Sequence, residues 1–201
     1  MAESIQIEIF RRKDAEEFTK SLADPDSRAQ TGSGAAMTAA VASALLERAA
    51  KLAAAELPEQ ERVEYIRRNA EILRSYMVNL IDEDVKARGP YRRALKDGDP
   101  RKLEAATQVA GAVCSEIVGM MTKALELTEE LADLCPEDAK HFLTESADLA
   151  LAAVRSCMRV CVYWGDRSSE DTRRYVIRRE NELQWEQILP CYQRIIRKLE
   201  Q

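Results

Sequence analysis

Two short segments of this chain carry residue types at spacings suited to chemistry. The first is Leu80-Ile81-Asp82-Glu83-Asp84, near the end of a stretch with helical periodicity. Residues two apart on a helix point about 200° away from each other, so Asp82 and Asp84 cannot both face one pocket while the helix is regular. Asp84 follows Leu80 by four and Met77 by seven, which sets it on the apolar stripe. A carboxylate there must be paired, hydrogen-bonded or raised in pKa, and such groups are suited to acid and base work. Asp84 is therefore the first candidate catalytic residue and Asp82 the second; a solvated acidic helix end is the competing reading. The second segment, Thr31-Gly32-Ser33-Gly34, opens an Ala-rich run. Glycines permit a tight turn, a serine can cap, and exposed amides at a helix start favour an anion. Gly32, Ser33 and Gly34 are thus candidate substrate-binding residues, against the alternative of an ordinary capped helix. Arg88, Arg92, Arg93, Lys96, Arg101 and Lys102 follow the acidic segment. They are either solvated surface or a receiver for an anionic tail.

Most other catalytic arrangements are poorly supplied. His141 is the one histidine, which excludes paired ExxH units for a di-metal centre and leaves a Ser-His or Cys-His pair with a single possible base. Nucleophile-elbow, Walker and dinucleotide glycine patterns are absent. The five cysteines are odd in number and lie mostly within helical patterns, so buried, unpaired thiols are expected rather than a disulfide framework or a metal site. Cys157 and Cys161 share a helix face without a CxxC or further histidines to complete a ligand set.

These groups have to be positioned by helices. At 46% hydrophobic and 32% charged residues, the 201-residue chain has the balance of one soluble globular domain, spanning 1–201. Aromatics are 5% and glycines 7, which disfavours a sandwich or barrel. A formal net charge of −5 argues against a dedicated nucleic-acid binder. The residues 1–12 lack an apolar signal core, and Glu47, Arg48 and Lys51 interrupt the most apolar run, 35–55, so no membrane span is expected and the cytoplasm is the expected location.

Periodicity predicts a short helix from about Phe10 to Leu22, ended by Asp24-Pro25, and a long one from about Ala35 to Glu56. A third runs from about Glu59 to Ala87 and a one-turn helix follows Gly89-Pro90. A fourth starts at Asp99-Pro100 and reaches about Leu134. A fifth spans Glu137 to Trp164, and a last reaches Lys198 with a bend or break near Pro190. The fold class expected is all-α, a single-domain bundle of long antiparallel helices. Small-residue stripes, Ala35 to Ala44 and Ala106 to Ala112, suit close helix packing. A helix apolar on more than one face also suits a homodimer seam.

The glycine-serine opening, the Ala-rich helix and the later aspartate segment, in this order, resemble the cyclodeaminase domain of formiminotransferase-cyclodeaminase and the related bacterial methenyltetrahydrofolate cyclohydrolases. Gly32-Ser33 stands at the last glycine and serine of that family's opening. Leu80 to Asp84 matches its Leu-Val-Asp-x-Asp segment, Ala106 to Met120 fits its next helix, and Asp166 falls where it has an aspartate after the penultimate long helix. The resemblance implies an all-helical dimer. It also implies folate one-carbon chemistry on a tetrahydrofolate derivative as substrate, without metal or further cofactor. Asp84, then Asp82, would carry protons, and Gly32-Ser33-Gly34 would contact the pterin or the anionic tail. The chain departs from the pattern at Ala29, Gln30 and Thr31, in place of a proline and two glycines, and at Ala110, in place of a proline. Lys140-His141, Arg159 and Tyr163 stand where the family has a Ser-Asp pair and asparagines. Those departures set a second reading beside the enzyme: a catalytically lapsed homologue acting as a helical homodimer or interaction module.

Overall fold

A computed structural model describes residues 8–200. After a single 3₁₀ turn, Phe10–Arg12, the chain forms α1 (Ala15–Ala23), α2 (Thr31–Glu56), α3 (Glu61–Ala87), α4 (Gly89–Asp97), α5 (Pro100–Ala110) and α6 (Ala112–Ala132). A second 3₁₀ turn, Glu137–Ala139, precedes α7 (Lys140–Gly165) and α8 (Asp171–Leu199). No strand occurs among the described residues.

Local chemistry sets several of these limits. Asp14 caps α1 by accepting from the Glu17 amide at 2.8 Å. Asp99 caps α5 by accepting from the Arg101 and Lys102 amides at 2.9 and 3.3 Å, and Pro100 fits the first helical turn, where no amide is needed. Gly98 closes α4 with φ +69°, a left-handed conformation that suits glycine.

The centre of the bundle is α2, packed between α3 and α7, with α6 and then α8 laid against α7. Ala36, Ala39, Ala42, Ala49, Ala50 and Ala53 on α2 have no exposed surface, and side chains this small let both neighbours approach its axis closely. Larger residues fill the outer spaces: Met77 and Ile81 from α3, Ile117 and Met121 from α6, Leu143 from α7 and Ile188 from α8, within one contiguous core.

The structure differs from the periodicity at five places. First, Phe10 belongs to the 3₁₀ turn and α1 begins only at Ala15, behind the Asp14 cap. Second, α2 begins at Thr31 rather than Ala35, so Gly32, Ser33 and Gly34 lie inside its first turn instead of forming a loop before it. Third, the expected fourth helix is two, α5 and α6, divided at Gly111; a Cβ there would stand 3.3 Å from the Trp164 ring, so the break and the missing side chain let this indole pack in. Fourth, α8 runs unbroken through Pro190. That proline is exposed, so water can reach the carbonyl it leaves unbonded, while Ile188, Cys191 and Ile195 remain buried on the inner face. The segment after Gly89-Pro90 also makes a full nine-residue helix, α4, rather than one turn.

Candidate active site

The end of α3 and the start of α2 meet at Asp84. Its carboxylate lies directly over Gly32: a Cβ at that glycine would stand 2.5 Å from Cγ and 2.9 Å from Oδ2 of Asp84, inside any real contact distance. Gly32 therefore serves close approach, not an unusual backbone angle. Ser33 is fully buried, and its hydroxyl does not cap the helix. It has one hydrogen to donate, either to Asp84 Oδ2 at 3.0 Å or to the Ile81 carbonyl at 3.1 Å. Gly34 faces the other way, 3.5 Å from Leu22 Cδ1 were it to carry a Cβ. So of the three small residues only Gly32 touches the site directly. Ser33 holds Asp84 from behind, and Gly34 belongs to a neighbouring hollow.

Asp84 is 1% exposed and is met by Arg88, one turn further along α3 and 6% exposed. The Arg88 guanidinium donates to Asp84 Oδ2 and to the side-chain oxygen of Gln30, and its Nε donates to the Asp84 carbonyl at 3.2 Å. A buried carboxylate is thus charge-compensated by Arg88 and hydrogen-bonded at Oδ2 by Arg88 and Ser33, as its burial demands.

Asp82 is not brought to this site. It projects from another face of α3, as the helical spacing requires. Its Oδ1 accepts from the Phe10 amide at 2.7 Å and the Arg11 amide at 3.4 Å, and its Oδ2 pairs with Arg11 Nε at 3.3 Å. The second catalytic candidate is therefore a clasp for the N-terminal turn. Replacing it by alanine is expected to lower stability by about 1–2 kcal/mol, since two backbone donors lose a charged acceptor. Turnover per folded molecule should stay within twofold. A chemical melt paired with an activity assay checks this, and a hundredfold loss of activity would return Asp82 to the mechanism.

Above Asp84 and Arg88 opens a cleft of about 480 Å³, lined by Gln30, Thr31 and Gly32 from the start of α2, Arg88, Tyr91 and Arg92 from around α4, and Ser156, Arg159, Val160, Tyr163 and Trp164 from the end of α7. Gln30, Thr31 and Ser156 also border a second hollow of about 640 Å³ that continues along α2 past Gly34 and Thr38. Trp164 closes the far wall and separates the cleft from a smaller cavity of about 240 Å³ beside Gly111 and Cys161. Glu104 fixes that wall. It accepts from the Ser169 amide at 2.7 Å, the Ser168 hydroxyl at 2.7 Å and the Ser169 hydroxyl at 2.8 Å, bonds that hold its carboxyl down at about 2 and pin the turn that follows Trp164.

The remaining chemical groups lie elsewhere or are quiet. His141 is exposed at the opposite end of α7, its ring tilted against that of Phe142. Asp166 pairs with Arg178 at 2.8 Å and does not line the cleft. Burial pushes the Cys135 thiol up to about 11 and Cys161 to about 12. Contact with Cys157, then burial, pushes Cys114 upward, so these thiols stay protonated at neutral pH and make poor nucleophiles. Sequence reasoning passed over Tyr91 and Trp164, and met Arg159 and Tyr163 only as departures from a pattern. The spacing of Ser156, Arg159 and Tyr163 on one face of α7 was the available signal.

A helical bundle thus holds a buried aspartate against the first turn of its central helix, beside a cleft of ligand size. The sequence profile of the formiminotransferase-cyclodeaminase family matches residues 14–163, a span holding Gly32, Asp84 and Tyr163, and the chain belongs to that family. Its structure is similar to the crystal structure of formiminotetrahydrofolate cyclodeaminase from Thermotoga maritima, with a TM-score of 0.85 and 25% sequence identity over 94% of this chain and 96% of that one. No curated protein matches the sequence. No helix among the described residues is long and apolar enough to cross a membrane.

Proposed function

We propose that this chain is a single-domain folate one-carbon enzyme in which Asp84 is the general acid and base. The observation that carries this reading is the placement of Asp84: a buried carboxylate fitted over Gly32, beneath a cleft of ligand size, in a chain of the cyclodeaminase family. In the cyclodeaminase direction, a nitrogen of the reduced folate attacks the formimino carbon and gives up its proton to Asp84. The tetrahedral carbon then stands between two nitrogens and an amino group. Asp84 returns the proton to that amino group, which leaves as ammonia, and a methenyl bridge remains. In the cyclohydrolase direction water adds to the methenyl bridge, Asp84 takes its proton and hands it to the departing ring nitrogen. Both reactions need only proton transfer at a held carbon, so the tetrahydrofolate derivative is the one organic partner the chemistry asks for.

Arg88 has a part in this. A formimino group is an amidinium, planar and cationic like a guanidinium, so it can take the place of Arg88 on the Asp84 carboxylate once Arg88 swings toward the cleft. A second reading rests on the same pair: with Asp84 1% exposed and its charge matched by Arg88, the site can equally belong to a lapsed homologue in which the pair is permanent. Turnover decides between them. Formation of the methenyl product from formiminotetrahydrofolate with equimolar ammonia supports the enzyme. Folate binding without turnover supports the lapsed form.

A homodimer fits the outer face of α2. Val41, Leu45 and Leu52 recur there at four- and seven-residue intervals, and Val41 and Leu52 are 43% and 38% exposed despite being apolar. Val41→Glu is expected to turn a dimer into a monomer in sedimentation equilibrium without changing the helix content. A wild-type monomer, or a variant that stays dimeric, would remove α2 as the seam. Five unpaired cysteines suit a reducing compartment and so the cytoplasm.

A further inference from the structure

The cleft above Asp84 carries more positive charge than the proposed proton transfer needs. Arg88, Arg92 and Arg159 all line it, and no aspartate or glutamate does. Asp84 beneath the floor is ion-paired with Arg88 and acts on Arg92 only as a nearby charge. Among the described residues neither Arg92 nor Arg159 has a carboxylate partner; the one hydrogen bond from the Arg92 guanidinium is long, 3.5 Å to the Arg28 carbonyl. Burial first, then Arg88 and Arg28 nearby, pushes the Arg92 guanidinium below its ordinary value, with Asp84 opposing the shift. This concentration stands against a chain whose net charge is −5, so it is local rather than a general basicity.

The same cleft presents aromatic surface. Tyr91 and Tyr163 both meet Trp164 edge-on, with ring centroids 4.8 and 5.2 Å away, and Tyr163 remains 50% exposed. Arg167 stacks on one face of Tyr163, 3.4 Å from the ring centroid, and edge-on packing against Trp164 leaves the other face for a planar ligand. Four positions at which the chain departs from the family's sequence pattern, Gln30, Thr31, Arg159 and Tyr163, also border this cleft.

We propose that the cleft is a subsite for an aromatic group bearing a dianion, with Arg92 and Arg159 taking the two negative charges and the ring lying against Tyr163 and Trp164. Guanidinium groups suit this task because they are permanently charged and donate in pairs to carboxylate or phosphate oxygens. The proposal deepens the folate reading and rests on it, since the aminobenzoyl-glutamate half of a folate is such a group.

Calorimetric titration with p-aminobenzoylglutamate tests it, with p-aminobenzoate, glutarate and phenyl phosphate as comparison probes. The wild-type protein should bind the dicarboxylate fragment at least tenfold more tightly than p-aminobenzoate or glutarate. Arg159→Gln and Arg92→Gln, whose thermal melts report on folding, should each weaken it about tenfold or more, the loss of one charged hydrogen-bonding group. Glutarate binding as well as the fragment, or affinity unmoved by both substitutions, would overturn the subsite. Phenyl phosphate binding more tightly than the fragment, with the same dependence on Arg159, would keep the aromatic dianion and overturn its link to folate. Tetrahydrofolate and tetrahydropteroate, which differ in the glutamate alone, separate the two claims. Tetrahydrofolate binding equally to wild type and Arg159→Gln would overturn the subsite and leave the folate reading standing. Arg159-dependent fragment binding without any tetrahydrofolate binding would do the reverse.

Discussion

Gly32→Ala should lower turnover by at least about a hundredfold. A methyl group at this position would stand 2.5 Å from Asp84 Cγ, so something must shift. The carboxylate is held at Oδ2 by both Ser33 and Arg88, and α2 and α3 are long helices packed against each other. Either Asp84 rotates off its partners or α2 slides against α3. Overpacking of this sort costs about 1–3 kcal/mol, and at about 2–4 °C per kcal/mol for a protein of this size the melting temperature should fall measurably. The loss of activity is the larger effect, because displacing a reacting group by about 1 Å is worth about a hundredfold. Gly34→Ala, two residues on, is the control. Its new methyl would make an ordinary contact with Leu22 at 3.5 Å, so stability should hold or rise slightly on helix propensity, with turnover unchanged. Equal activity in Gly32→Ala and wild type, at a temperature where both are folded, would take Asp84 out of the mechanism.

Asp84→Asn should remove turnover by a factor of about 10²–10⁴, the usual contribution of a positioned acid or base. Asparagine keeps an acceptor for Arg88 and Ser33 but carries no exchangeable carboxyl proton. Its structural cost should therefore be smaller than the roughly 3–5 kcal/mol expected when a buried ion pair loses one partner outright. The double variant Asp84→Asn with Arg88→Met separates structure from chemistry. Removing both charges relieves the unmatched guanidinium and should recover much of the lost stability, whereas turnover should stay lost. Recovery of turnover along with stability would mean that Asp84 acts only by holding the fold.

How much of this was legible in the sequence depends on the range of the interaction concerned. The opposed faces of Asp82 and Asp84 followed from helical geometry alone, and α2, α3 and α7 follow from apolar spacing. Capping by Asp99 and the stop at Gly98 are equally local. Gly32 was misread as part of a turn because its reason lies on another helix, 52 positions away in the chain: the glycine makes room for Asp84. The division at Gly111 has the same origin, in the approach of Trp164 from α7. The cleft was illegible for a related reason. Arg92 read as surface or a receiver for an anionic tail, Arg159 and Tyr163 only as departures from a family pattern, and they converge only because α2, with Gln30 and Thr31 at its start, packs against both α3 and α7. The continuity of α8 through Pro190 depended on which side of the helix faces water, a tertiary fact.

The central claim, that Asp84 transfers protons to and from a folate one-carbon group, is tested most directly by mixing the purified protein with formiminotetrahydrofolate and following ammonia release and methenyl formation together, with Asp84→Asn as the comparison. The account predicts equimolar release in the wild type. It also predicts at least a hundredfold slower release in a variant that still binds the folate. Equal rates in the two proteins, or a wild type that binds the folate and never releases ammonia or opens a methenyl bridge, would contradict it.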